Sequence, residues 1–416
     1  MAPAFPRSLP RDGAARRARA LRSGGARRAH GHRSHSVSAQ HAHLSPEQRE
    51  LLTRCEELAR DVFEPMVRAG EAGHVNRRLN AALGEHGLLA RALRHGGDIA
   101  AVDLCVIREG LARHSPESET AFAVQCLGSH PLLVAGHAAT RDEWLPRLAD
   151  GTAVAAFALT EPGGGSDVAS LGLRAEPDGD GFRLTGEKAF ISNAPEADIY
   201  AVFARTTEGA GARGITCFAV PAASGGLSGE TTPLVSGHPI GRLTFDGVHA
   251  TREQMVGEQD RGFGVAMRTL DLFRPSVGAF AVGMAQAALD AAVHHAATRT
   301  AFGHPLSAFQ GVTHQLADVA TRVQAARLLV HAAAAAYDAR EPGTTRASAM
   351  AKLFATEAAT DAIDVAIQVH GARALERGHM LERLYREVRG TRIYEGASEV
   401  QREIVARELF RDLPPA

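Results

Sequence analysis

Thr160-Glu161-Pro162-Gly163-Gly164-Gly165-Ser166-Asp167 follows directly on the apolar run Val154 to Leu159. The run has the length of a buried strand, and the loop after it holds three consecutive glycines, a proline and two side-chain hydroxyls. Three glycines permit backbone that bulkier residues cannot follow. Successive N–H groups in such a loop form a nest for anionic or carbonyl oxygens. Read alone, the segment is equally a plain turn between strands.

Working outward, the neighbourhood is β. Phe182 to Leu184, Ile199 to Ala204 and Ile215 to Val220 are short apolar runs separated by Gly, Asp and Pro. Lys188-Ala189-Phe190-Ile191-Ser192-Asn193 reads as a strand end whose alternation sets Phe190 and Ser192 on one face. An aromatic and a hydroxyl placed so suit the face and edge of a planar ring. Gly209-Ala210-Gly211-Ala212-Arg213-Gly214 fits the dinucleotide fingerprint Gly-x-Gly-x-x-Gly, but it leads into another strand instead of opening a helix, so it reads as a hairpin loop.

Both flanks are helical. Ser45-Pro46-Glu47-Gln48 supplies an N-cap, a proline at the first helical position and an acid in the first turn. Leu51, Leu52, Cys55, Leu58, Ala59 and Val62 continue it as a helical stripe, and similar stripes cover 79–89 and 100–112. After about residue 262, Ala-rich faces run through 277–299 and 312–337, as in closely packed bundles. The expected organisation is α+β: a leader at 1–43, an N-terminal helical domain at 44–153, a barrel-like β domain at 154–262 and a C-terminal four-helix bundle at 263–416.

Composition bounds the function. With 416 residues, 45% hydrophobic and 22% charged, the chain is ordinary for a soluble multi-domain protein, and no uninterrupted apolar run approaches membrane-spanning length. Residues 1–40 carry nine Arg and one acid, so a net charge of −1 leaves the remainder at −9. That argues against nucleic-acid binding by the folded body. Cys55, Cys105, Cys126 and Cys217 lack any Cys-x-x-Cys spacing, which suits buried thiols and predicts no metal site. The histidines at 30, 32, 35, 41 and 43 have no folded scaffold around them. The Arg-rich leader has transit-peptide composition, implying a mitochondrial matrix location. However, only Lys188 and Lys352 stand among 46 basic residues, a bias that suggests a GC-rich bacterial gene read from a start upstream of Val37, hence a cytoplasmic protein.

Near the C-terminus stands Ile393-Tyr394-Glu395-Gly396-Ala397-Ser398-Glu399-Val400-Gln401, a carboxylate followed by a glycine. Alone, Glu395 reads as a solvated charge. Asp271 and Arg274 read as a surface pair at helical spacing. Arg299-Thr300-Ala301-Phe302-Gly303 with Gln310 reads as a solvated helix end, and Gln368-Val369-His370-Gly371 as a helix stopped by a glycine cap.

Taken together, these segments resemble the acyl-CoA dehydrogenase family over roughly residues 44 to 412. The resemblance implies a FAD flavoprotein that desaturates acyl-CoA thioesters at the α,β position, with Glu395 as the α-proton base. It implies FAD contacts from Phe157, Leu159, Thr160, Ser166, Phe190, Ser192, Arg299, Phe302, Gln310, Gln368 and Gly371, those from Arg299 onward reaching a neighbouring subunit. Phe190 and Ser192 stand where the family has Trp and Thr. Substrate contacts fall to Ser166, Asp271, Arg274, Tyr394 and Gly396. Some branches carry the base on the residue before Arg274, but Phe273 stands there and leaves Glu395. The implied partners are an electron-transfer flavoprotein and other copies of the chain, as a homotetramer or homodimer, with no membrane or nucleic acid. An acyl group on a carrier protein is the alternative substrate, and a non-catalytic member of the fold the alternative role. Two positions depart from the pattern: Ala372 for a second glycine and Ala397 for a threonine. A shortened Arg94-His95-Gly96-Gly97 replaces a Pro-x-x-Tyr-Gly-Gly-like loop, and Ser129 and Leu132 are candidate pocket residues.

Overall fold

The computed structural model describes residues 40–93 and 97–411. The chain separates into two units, 1–43 and 44–416. The leader to residue 39, its first three histidines and residues 94–96 lie outside the described residues. Helices, then a sheet, then helices follow in the expected order.

The first helical region comprises α1 (Pro46–Leu58), α2 (Glu64–Arg68), α3 (Arg77–Glu85), α4 (Leu88–Ala92), α5 (Ala101–Ala112), α6 (Pro116–Ala135) and α7 (Ala138–Ala149). Ser45 caps α1 in a reciprocal box with Gln48, satisfying two otherwise orphaned N–H groups. α6 is the central element and is buried along most of its length. At Gly128 a Cβ would sit 2.6 Å from the Ala156 nitrogen, so only glycine lets this helix lie against the first strand. Gln125 secures the same junction. Its amide donates to the Leu148 and Ala153 carbonyls at 3.0 and 2.8 Å and accepts from the Ala155 N–H at 2.9 Å.

The sheet contains β1 (Ala155–Ala158), β2 (Arg174–Asp178), β3 (Gly181–Ser192), β4 (Ile199–Arg205), β5 (Ile215–Pro221), β6 (Leu227–Thr231), β7 (Ile240–Thr251) and β8 (Met255–Val256). Its order is β6-β7-β3-β2-β4-β5-β8, with β1 parallel to β4. The end strands β6 and β8 do not pair, so the barrel-like domain is an open mixed sheet. β4 and β5 pair antiparallel through the 209–214 loop, which is a hairpin connection as expected.

The C-terminal region holds three long helices, α8 (Gly262–Thr298), α9 (Gln310–Asp338) and α10 (Thr344–His370). A two-stranded hairpin, β9 (Thr300–Ala301) and β10 (His304–Pro305), links the first two. The shorter α11 (Met380–Thr391) and α12 (Ser398–Leu409) complete it. Buried alanines on α8 at 279, 281, 285, 288, 292 and 296 allow its neighbours to approach closely. α8 is long and apolar enough to cross a membrane, but 78% of its apolar window is buried within the protein, as befits a core helix. All four cysteines are buried thiols, and burial holds each well above the usual thiol range.

Candidate active site

The two segments first singled out meet in space. The Ala189 N–H donates to the Thr160 carbonyl at 3.0 Å. Beneath them Lys188 is fully enclosed; its Nζ donates to Glu161 Oε1 at 2.8 Å and to the Leu159 carbonyl at 2.9 Å. Glu161 also accepts from the N–H groups of Gly172 and Leu173 at 2.6 and 2.9 Å. Burial pushes Lys188 down to about 8. At Glu161 burial acts the other way, but Lys188 and the two N–H groups outweigh it and hold the carboxyl below its usual range. The loop is therefore held from below, and its glycines face open space: a Cβ at Gly163 or Gly164 would meet nothing within 4 Å. Ser166 is exposed there, while Phe157 packs on Phe203 with ring centroids 4.9 Å apart.

Phe190 departs from the expected strand. Its φ is +55°, and the β3–β7 register shifts between Lys188 and Ile191. A left-handed bulge, and not regular pleating, turns this aromatic outward at 58% exposure, a strained arrangement for a bulky residue. Two residues on, the Ser192 hydroxyl lies 2.7 Å from His238 Nε2. Burial pushes His238 down to about 4, so the ring is neutral. An outward aromatic plate, a hydroxyl beside it and an open glycine loop fit a flat ring carrying a phosphate tail. His238 was missed by sequence reasoning, since nothing in Gly237-His238-Pro239 marks it.

Glu395 is not the solvated charge that its surroundings in sequence suggest. It sits half-buried with φ +52°, and Oε2 is enclosed without a hydrogen-bond partner. Its own N–H makes no hydrogen bond among the described residues. Gly396 follows at φ +95°, where a Cβ would lie 2.2 Å from Gln401 Nε2. The Gly396 carbonyl accepts from Lys352 Nζ at 2.7 Å and from Gln401 Nε2 at 3.0 Å. The loop is thus fixed by its carbonyl while its N–H and carboxylate stay unspent. Burial raises Glu395 above the usual carboxylate range; Arg108, Lys352 and Arg274 pull it back, in that order, without cancelling the rise.

Asp271 and Arg274 form the expected pair, Nη1 to Oδ1 at 2.7 Å, but Arg274 is buried and not at the surface. Thr345 donates to the other Asp271 oxygen at 3.0 Å, and Arg274 Nε has no partner. Asp271 borders a cleft of about 720 Å³ with Asp98, Arg268, Asp338 and Arg340. Phe273 is fully buried. Ser129 and Leu132 are also fully buried; the Ser129 hydroxyl donates within its own helix to the Gln125 carbonyl at 2.7 Å, so its proton is already spent. Tyr394 is part-exposed beside the base.

Arg299, Phe302, Gln310, Gln368 and Gly371 form a separate, exposed group. They share one end of the bundle, where His295 on α8 stacks on His370 on α10 at 4.2 Å. Phe302 is 93% exposed at the tip of the β9–β10 hairpin.

The helical and sheet sides meet around a cavity of about 270 Å³, bounded by Asn193 and His238 on one side and Thr120, Ala121, Glu117 and Glu387 on the other. Among the described residues no group of three or more His, Cys, Asp or Glu is placed to hold a metal ion.

Helices, sheet and helices, with an open glycine loop edged by an outward aromatic on the sheet and a half-buried carboxylate with one enclosed oxygen on the helical side, define the class: an enzyme with a cofactor platform on its sheet and a candidate base among its helices. The acyl-CoA dehydrogenase N-terminal, middle and C-terminal domain families match residues 45–152, 156–248 and 260–410, and the chain belongs to the acyl-CoA dehydrogenase family of enzymes. It is similar to cyclohexane-1-carbonyl-CoA dehydrogenase of Geobacter metallireducens, 37% identical over 74% of this chain and 82% of that one. The structure of butyryl-CoA dehydrogenase from Megasphaera elsdenii superposes with a TM-score of 0.83 at 31% identity, covering 88% of this chain and 99% of that one. The FAD complex of PigA superposes with a TM-score of 0.83 at 26% identity, covering 88% and 98%.

Proposed function

We propose that this protein is an FAD-dependent dehydrogenase that converts an acyl-CoA thioester to its trans-2-enoyl product. The observation that carries the reading is Glu395, a carboxylate with one enclosed, unspent oxygen among three buried cations. FAD, when bound, accepts the two electrons that leave with the β-hydrogen and passes them to an electron-transfer flavoprotein.

The chain's own residues do the rest. Thr160 to Ser166 and the Ser192 hydroxyl hold the cofactor, and Phe190 covers it. Glu395 Oε2 takes the α-proton. The Glu395 N–H, free and fixed in direction by the pinned Gly396 carbonyl, donates to the thioester oxygen as charge builds there. Asp271 and Arg274 orient the thioester arm at the cleft, and Tyr394 closes the acyl side. Arg299, Phe302, Gln310, Gln368 and Gly371 reach the cofactor of a second copy in a homotetramer, which accounts for their exposure here. Anaerobic titration of the flavin-loaded protein with acyl-CoAs of varied length and branching tests the reading. Bleaching of the flavin band is the expected result; a bound flavin that no acyl-CoA bleaches would overturn it.

The pH profile follows from the base. Proton abstraction needs ionised Glu395, so activity falls as pH drops through its pKa. Burial sets that point above the ordinary carboxylate value of about 4.3. A kcat/KM profile should therefore show its acid limb above that value, and a limb at or below it would remove Glu395 from the role.

At the 720 Å³ cleft Asp98 is held by Arg268 at 2.6 Å, and Asp338 by the N–H groups of Ala101 and Val102 at 2.7 and 3.0 Å. Arg340 is exposed and makes no ion pair among the described residues, leaving a cation for the phosphates of CoA. Arg340→Glu is expected to raise KM for acyl-CoA by about tenfold at low salt with kcat little changed, since one exposed ionic contact is worth about 0.7 kcal/mol and reversing its sign about doubles the effect. An unaltered KM would place the phosphates elsewhere.

A further inference from the structure

Arg108 and Glu119 are used differently from the buried pair beside them in sequence. Glu109, the next residue on α5, pairs with Arg327, and each nitrogen of that guanidinium has a partner. Its Nε donates to Glu109 at 2.7 Å, Nη1 to Gln324 at 2.7 Å and Nη2 to Gln286 at 2.9 Å. This pair ties α5 to α8 and α9. Arg108 is equally buried, at 2% exposure, and Glu119 on α6 is at 0%. Arg108 Nε donates to Glu119 Oε1 and Nη1 to Ser276 Oγ at 2.6 Å. Its Nη2 has no partner among the described residues.

Glu119 also has capacity left. Among the described residues the one hydrogen-bond donor to its Oε2 is the Thr120 hydroxyl at 3.4 Å, whose single proton has a better acceptor in the Pro116 carbonyl at 3.0 Å. The ion pair therefore leaves Arg108 Nη2 without a hydrogen bond and Glu119 Oε2 with one long one, capacity that a ligand group can take up. Their position says what fills them. Arg108 is the first of the three cations acting on Glu395, and Glu119 acts on Tyr394 as well as on Arg108. Thr120, next to Glu119, lines the cavity between helices and sheet.

Resting on the dehydrogenase reading above, we propose that Arg108 and Glu119 read a hydroxyl group on the acyl chain beyond its β-carbon. The hydroxyl oxygen accepts from Arg108 Nη2, and its O–H donates to Glu119 Oε2. A hydroxyl is the smallest substituent that answers both. An alkyl chain leaves donor and acceptor unpaired. A terminal carboxylate answers Arg108 but is set against Glu119 and Glu395.

The test is anaerobic bleaching of the flavin-loaded protein by thioesters matched in length: hexanoyl-CoA, 6-hydroxyhexanoyl-CoA and the CoA monothioester of hexanedioic acid, with the corresponding five-carbon set. The hydroxyacyl compounds are expected to half-bleach at concentrations at least about tenfold lower than their alkyl parents, because a site built to hydrogen-bond a hydroxyl discriminates against its absence. In Arg108→Met/Glu119→Leu the ratio within each pair should fall to about one. Reading a ratio cancels the effect of the substitutions on Glu395 and on overall stability. Equal or better bleaching by the alkyl parents overturns the proposal with the wild-type protein alone, as does a ratio that survives the double substitution. Preference for the dicarboxylic thioester replaces hydroxyl reading by anion reading and also overturns it. Bleaching by none of them, nor by any other acyl-CoA, defeats the dehydrogenase reading itself, an outcome separate from the others.

Discussion

Glu395→Gln is expected to lower the rate of flavin bleaching by acyl-CoA by about a thousandfold while FAD content and melting temperature stay close to wild type. The loss is in the range that removing a positioned general base produces. The amide matches the carboxylate in shape, so it tolerates the same left-handed backbone at φ +52° and keeps the Gly396 carbonyl where Lys352 and Gln401 hold it. What it cannot do is take a proton. It also leaves Arg108, Lys352 and Arg274 without the charge they face, which should draw anionic substrate analogues in more tightly. Turnover within a few-fold of wild type in a protein that retains FAD would exclude Glu395 as the base, and Phe273, the residue at the family's other base position, has no group to replace it.

The layout of this site was legible where local rules dominate. Glycine runs, strand-length apolar stretches and helix caps act over a few residues, and the order of helices, sheet and helices followed from them. Three features were not legible, each for a tertiary reason. The bulge at Phe190 depends on the register between β3 and β7, which no pattern within β3 records. The burial of Arg274 and Glu119 depends on which helix faces are covered, and on an isolated helix those charges look solvated. His238 reaches Ser192 from a loop 46 residues further on. One signal was present and carried more than compositional meaning. In a chain that uses arginine almost everywhere, the two lysines, Lys188 and Lys352, are both fully buried, and each holds one half of the site. A compact ammonium on a thin stem fits beneath a loop where a planar guanidinium does not, so these are the positions at which arginine could not stand in.

Lys188→Met is expected to destabilise the protein by about 3 kcal/mol and to cost it most of its FAD. Removing one partner of a buried pair leaves the other charge uncompensated, a loss of about 3–5 kcal/mol. The lower end applies here because Glu161 keeps the N–H groups of Gly172 and Leu173. The loss is directional as well as energetic. Lys188 Nζ joins the Leu159 carbonyl to Glu161, and these residues flank Thr160, whose carbonyl takes the N–H next to Phe190. Without the ammonium, the open glycine loop and the aromatic plate lose their common support, so cofactor retention should fall even at temperatures where the fold persists. Lys188→Met/Glu161→Gln removes both charges and should recover most of the stability, since a neutral amide still accepts from the two N–H groups, but it should recover less of the FAD affinity. Urea titration of the cofactor-free forms separates the two effects. A single variant within about 1 kcal/mol of wild type would mean that the pair is not what holds the loop. Full recovery of FAD affinity in the double variant would mean that charge balance alone, and not the Leu159 contact, sets the cofactor platform.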